Sequence, residues 1–153
     1  MYFQIIKLLF SNYVKIYILY YKHRYKRGGT MEELKKMLVS TNINERDKAI
    51  EEIIKSNLLN LREDLINIIE HGPTYAKVGA AKAFSQIATE EDIVALKRIL
   101  KMKSWHIRVE AIHGIYKVLG ANSIESLTPL LKDKAYGVRV EVERILNQLT
   151  QIK

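Results

Sequence analysis

The chain has 153 residues, 48% of them apolar and 27% charged, and its two prolines and seven glycines are too few for a disordered or collagen-like chain. It has no cysteine, which excludes disulfides, iron–sulfur ligation, cysteine-based zinc sites and cysteine nucleophiles, and suits a cytoplasmic protein. The formal charge of +8 is unevenly placed: Lys7, Lys15, Lys22, Arg24, Lys26 and Arg27 meet no acid in residues 1–30, leaving 19 basic against 17 acidic residues in 31–153.

Residues 1–30 read as an amphipathic helix. Gln4, Ser11, Lys15 and Lys22 fall on one side, and Ile6, Leu9, Phe10, Tyr13, Tyr17 and Tyr20 share the other. The longest stretch between lysines, Leu8 to Val14, is far short of the roughly 20 apolar residues a membrane span requires. Three readings of this segment stand. The first is a terminal cap over the apolar end of a repeat array, with Val14-Lys15-Ile16 in register with Ile107-Arg108-Val109 as a decayed extra unit. The second is a helix lying on an anionic membrane surface, which makes residues 1–27 the only route to a membrane partner. The third is a natural start at Met31. The cap is the reading adopted.

From residue 31 onward the chain matches itself when slid by 31 positions. Leu34, Leu65, Leu96 and Leu127 share one column, then Met37, Ile68, Ile99 and Leu130, then Leu38, Ile69, Leu100 and Leu131. Further along come Arg46, Lys77, Arg108 and Arg139, then Ala49, Ala80, Ala111 and Val142, then Ile53, Phe84, Ile115 and Leu146. A period of this length denotes stacked supersecondary units. Four units follow, at about 31–58, 59–88, 89–120 and 121–153, each of two helices.

In the second unit Asn60-Leu61-Arg62-Glu63 has the form of a capping box, and His71-Gly72-Pro73 stops the first helix. Its second helix runs from about Tyr75 to Ala88, with Val78, Ala81, Phe84 and Ile87 as the apolar stripe. In the third, Thr89 precedes Glu90, Glu91 and Asp92 as an N-cap, Ser104 caps the next helix, and Leu119-Gly120 ends it. In the fourth, Ser123 starts one helix, Pro129 bends it, and Tyr136 to Thr150 form its partner. The alanine column lets neighbouring helices approach closely while large residues on either side fill the seam.

The segments Trp105-His106-Ile107-Arg108-Val109-Glu110-Ala111 and Leu131-Lys132-Asp133-Lys134-Ala135-Tyr136-Gly137-Val138-Arg139-Val140 resemble HEAT repeats of the phycobilisome-lyase type, over residues 31 to about 150. The resemblance implies an all-α chain folded as a short right-handed HEAT/armadillo-like α-α superhelix of about four repeats. The aspartate such repeats often carry before the arginine stands here only as Asp133, with Ser40, His71 and Met102 in the equivalent places, so a full-length Asp–Arg ladder is not expected.

Catalytic signatures are absent from the sequence. His23, His71, His106 and His113 lack metal-ligand spacing, Gly28-Gly29 is no phosphate loop, and no cofactor or metal is expected. The Arg46/Lys77/Arg108/Arg139 column is read as structural, a cation at the start of each second helix bonding carbonyls of a neighbouring turn or unit; the phosphate-binding reading is the alternative. Trp105 and Tyr136 share a column with Ile43 and Thr74, a mixture that suits packing beside the inter-helix turn. Two further columns lie away from the apolar stripe: Glu51/Lys82/His113/Arg144 and Lys55/Gln86/Lys117/Gln148. The second helices line the concave side of HEAT-type arrays, so the resemblance directs Lys82, Gln86, His113, Lys117, Arg144 and Gln148 to a groove. The expected function is a non-catalytic scaffold binding an acidic protein segment on that face. The alternatives are a nucleic-acid module using the same basic columns and, because some proteins of the resembled group attach or remove bilins, a lyase-like activity.

Overall fold

A computed structural model describes residues 30–151, and every regular element among them is helical. The chain divides into two compact units, Met1–Lys36 and Met37–Lys153. The expectations for residues 1–29 lie outside the described residues. Of the first unit, Thr30 to Lys36 are described: Thr30 Oγ1 accepts from Glu33 N at 3.2 Å while Thr30 N donates to Glu33 Oε2 at 2.6 Å. This capping box starts helix α1, Met31–Leu38.

The second unit continues with α2 (Ile43–Ser56), α3 (Arg62–His71), α4 (Thr74–Ile87), α5 (Ile93–Ile99), α6 (Trp105–Leu119), the single turn α7 (Ile124–Leu127) and α8 (Tyr136–Gln151). Packing follows chain order. Helix α2 lies on α4, α4 on α6 and α6 on α8, while α3 covers α4, α5 covers α6, and the 3-10 turn Thr128–Lys132 covers α8. The second helices α2, α4, α6 and α8 therefore touch one another in chain order, and α4 and α6 are each covered by the first helix of their own repeat.

Most members of the 31-residue columns are buried, while Met37, Leu100, Leu130 and Leu146 are half-buried. Leu34, Leu65, Leu96 and Leu127 are all buried, as are Ala49, Ala80, Ala111 and Val142, and Ile53, Phe84 and Ile115 are fully enclosed. Burying one such aliphatic side chain stabilises by roughly 1.5–3 kcal/mol, so the columns are the main adhesive between layers. Val78 departs from its expected stripe and stays 38% exposed. Gly114 shows how tightly α6 is seated: a Cβ there would stand 2.7 Å from Leu96 Cδ2 and 3.2 Å from the backbone Cα of Ser85 on α4.

Several helix starts differ from the sequence expectation. Asn60 does not cap the second unit; a 3-10 turn, Leu59–Leu61, leads into α3 because fully buried Leu61 anchors the chain there. Thr89 and Asp92 do form a capping box, with Thr89 N donating to Asp92 Oδ2 at 2.8 Å. Ser104 and Ser123 occupy the N-cap positions of α6 and α7 as expected but without a side-chain capping bond, Ser123 donating to the Gly120 carbonyl instead. Pro129 does more than bend its helix. It lacks an N–H and crowds the preceding turn, so α7 ends at Leu127 and the chain tightens to 3-10 from Thr128. That loss of α register leaves Leu131 40% exposed.

Candidate functional site

The cation column occupies one repeated position, and its four members make one repeated bond. Arg46 Nη1 donates to the Ser40 carbonyl at 2.7 Å and Lys77 Nζ to the Glu70 carbonyl at 2.8 Å. Arg108 Nη1 donates to the carbonyls of Met102 and Lys103, both at 2.9 Å, and Arg139 Nη1 to those of Asp133 at 2.7 Å and Lys134 at 3.2 Å. Each cation reaches back from the first turn of a second helix and ties down the turn before it, where carbonyls would otherwise lack donors. Arg108 does more. Its Nε and Nη2 hold Asp133 Oδ2 and Oδ1 at 3.0 and 2.6 Å, a paired-fork contact joining the third repeat to the fourth. Burial pushes the Asp133 carboxyl up, but the Arg108 bonds, the Ala135 N–H and nearby positive charge bring it below the ordinary carboxylate value.

The two columns assigned to a groove fare differently from one another. Lys82 is exposed and lines a cavity of about 400 Å³ between α2 and α4, beside Ile43, Arg46, Glu51, Tyr75 and Val78. Arg46 sits 5.0 Å above the Tyr75 ring, whose hydroxyl donates to the Val39 carbonyl. Lys55 is exposed on α2, outside that cavity lining. Lys117 turns back onto the carbonyls of Gln86 and Ala88 at the end of α4. His113 and Arg144 meet acids that the two columns do not contain: Glu110 and Glu141, from the adjacent Lys48/Gly79/Glu110/Glu141 column. The resulting cluster on α6 and α8 sets Glu110 and Glu141 against His113 and Arg144, so this part of the expected basic face is paired within the molecule.

In that cluster His113 Nε2 stands 2.8 Å from Glu141 Oε1 and Nδ1 3.4 Å from Glu110 Oε2. Neutral imidazole donates from only one nitrogen, so a carboxylate at each end favours the imidazolium. Hydrogen bonding to Glu110 and then Glu141, opposed by burial, raises the His113 pKa above its ordinary value. Arg144 Nε and Nη2 clasp Glu141, lowering that carboxyl and raising the guanidinium in turn, and Arg144 Nη1 donates to Gln148 Oε1 at 3.0 Å.

Other cross-repeat pairs were invisible one repeat at a time. Arg62 Nη1 reaches Thr89 Oγ1, Glu91 and Asp92 at 3.2–3.3 Å, and Arg98 Nε reaches Glu70 Oε1 at 2.7 Å. These partners lie 27 to 30 positions apart, just under one period, so opposite charges at that offset were the signal available. Among the described residues no group of three or more His, Asp or Glu is placed to hold a metal ion, and no helix is long and apolar enough to cross a membrane. No family model and no curated protein matches this chain.

Proposed function

We propose that this chain is a non-catalytic helical-repeat scaffold of the HEAT-like kind, its second helices winding as a short right-handed α-α superhelix, and that it grips a protein segment on the second-helix face. One observation carries the reading. Between α2 and α4 the exposed apolar side chains Ile43, Tyr75 and Val78 flank Lys82 around a cavity of about 400 Å³. Apolar contact surface with charge at its rim is the usual anatomy of a protein interface. Lys82 is the cation left there for an acidic residue of the partner, because His113, Lys117 and Arg144 are engaged within the molecule, while Asp47 and Glu51 at the same cavity call for a basic one. The same engagement removes support for a nucleic-acid strand on this face, since phosphate binding draws on unpaired cations.

Site-directed photo-crosslinking tests the reading. A crosslinker at Val78 should give a discrete protein adduct in native cells, lost on Lys82→Glu, while one at Val94, 77% exposed on α5, should not. Equal adducts from both positions, or none from either, would refute it.

A further inference from the structure

A second surface lies on the turns that the cation column ties down. The turns before α6 and α8 share a sequence absent from the other two: Lys101-Met102-Lys103-Ser104-Trp105 and Lys132-Asp133-Lys134-Ala135-Tyr136, against Val39-Ser40-Thr41-Asn42-Ile43 and Glu70-His71-Gly72-Pro73-Thr74. Both therefore read lysine, any residue, lysine, any residue, aromatic. All four lysines are exposed, and none forms an ion pair among the described residues. The one acid in these turns, Asp133, is already held by Arg108.

The geometry makes a platform of the pair. Arg108 and Arg139 each fasten the carbonyls of their own turn, so the lysine backbones are fixed while their ammonium groups reach into solvent. A cavity of about 450 Å³ opens between the turns, lined by Lys101, Lys103 and Lys134 over the Arg108–Asp133 pair. The rings are exposed as well. Tyr136 is 74% exposed with the Arg139 guanidinium 5.7 Å from its ring centre, and Trp105 is 41% exposed. His106 stacks on Trp105 at 3.7 Å, itself exposed, while Gly137 leaves room for the indole to lie across the start of α8.

We propose that these two turns form a binding surface for single-stranded nucleic acid, with Lys101, Lys103, Lys132 and Lys134 on its phosphates and Tyr136 and the Trp105–His106 stack receiving unpaired bases. Unpaired cations interleaved with exposed rings suit a strand that offers both anionic groups and planar faces. An acidic peptide would satisfy the lysines and leave the rings without a matching partner. Duplex nucleic acid would keep its bases stacked inside and could use only the lysines. This surface is separate from the α2–α4 groove, so the two readings stand or fall independently.

The test is anisotropy of a labelled oligouridylate titrated with the full chain at several salt concentrations. Changing the four turn lysines to glutamine should weaken binding by more than about tenfold and flatten the log affinity–log salt slope by about three, at about 0.7 per phosphate contact. Tyr136→Ala should weaken binding about tenfold with the slope unchanged, and Tyr136→Phe should restore it. A control that removes lysines away from the turns and the α2–α4 cavity, Lys36→Gln, Lys48→Gln and Lys55→Gln together, should stay within about threefold of the parent. All variants should keep the parent's melting temperature, since every substituted side chain is exposed. Equal weakening by the turn-lysine variant and the control would place binding in diffuse charge, including the basic residues 1–30, and overturn the proposal. So would an unchanged affinity in Tyr136→Ala, or equal competition by polyglutamate, which would assign the surface to an acidic protein.

Discussion

The α2–α4 and α6–α8 junctions occupy equivalent places two periods apart, yet one is left open and the other is locked. Both set an alanine or valine and a fully or largely buried large residue into the seam. At α6–α8, His113 bridges to Glu141 and Trp105 lies over Gly137, while the Arg108–Asp133 pair joins α6 to the turn before α8. At α2–α4 no ion pair joins the two helices among the described residues; Arg46 faces the Tyr75 ring, and Ile43 and Val78 remain exposed around a cavity. Shared apolar register brings helices together, and the residues just outside it decide whether the seam is closed by charge or left available to a partner.

Three perturbations separate these junctions, in descending size. Asp133→Ala should be the most damaging, because it strands Arg108, whose side chain is only 4% exposed. Breaking one side of a buried pair costs about 3 kcal/mol or more, read as a lowered urea midpoint. Gly137→Ala on the locked side should cost about 1 kcal/mol or more, since the new Cβ would stand 2.5 Å from Trp105 Cζ3 and 2.8 Å from Cε3, a rigid ring that already carries the His106 stack. Gly79→Ala on the open side should be nearly neutral. There the Cβ meets only the tip of Ile50, 2.5 Å away, which can swing toward the cavity, and alanine gains roughly 1 kcal/mol of helix preference. Equal losses for the two glycine variants would dissolve the contrast.

The smallest effect is a pH dependence confined to the locked side. His113 has a raised folded-state pKa, so its contribution is fully present below the ordinary value of 6.5 and is lost as pH rises through the elevated one. Glu141 is lowered from 4.5, so its contribution is present above that value and is lost as pH falls through the depressed one. The other charged groups placed at this cluster are Glu110 on the same helix and Arg144 on α8. His113→Gln should flatten the decline in urea midpoint above pH about 6.5, and Glu141→Gln should lower the His113 pKa followed by NMR. An unshifted His113 resonance in Glu141→Gln would remove the bridge.

Legibility varied with the range of the interaction. The helix order, the Thr89 start and the end of α6 at Leu119-Gly120 could be read because each rests on neighbours within one or two turns. The Thr30–Glu33 capping box rests on the same short range, a threonine three residues before a glutamate. Asn60 misled because a good capping residue is weaker than the anchoring of fully buried Leu61 beside it. The face assigned to Lys82, His113, Lys117 and Arg144 was drawn from two columns alone, whereas Glu110 and Glu141 reach it from a third.

By itself the amino-acid order determined a helical chain with a 31-residue register and the columns that become its interior. Apolar spacing repeats locally and needs no knowledge of a neighbour to be recognised. Tertiary structure alone decided which cations are spent on carbonyls and carboxylates and which, as on the turns before α6 and α8, face solvent. A long charged side chain can reach any of several partners, and only the packed position of the next repeat selects one.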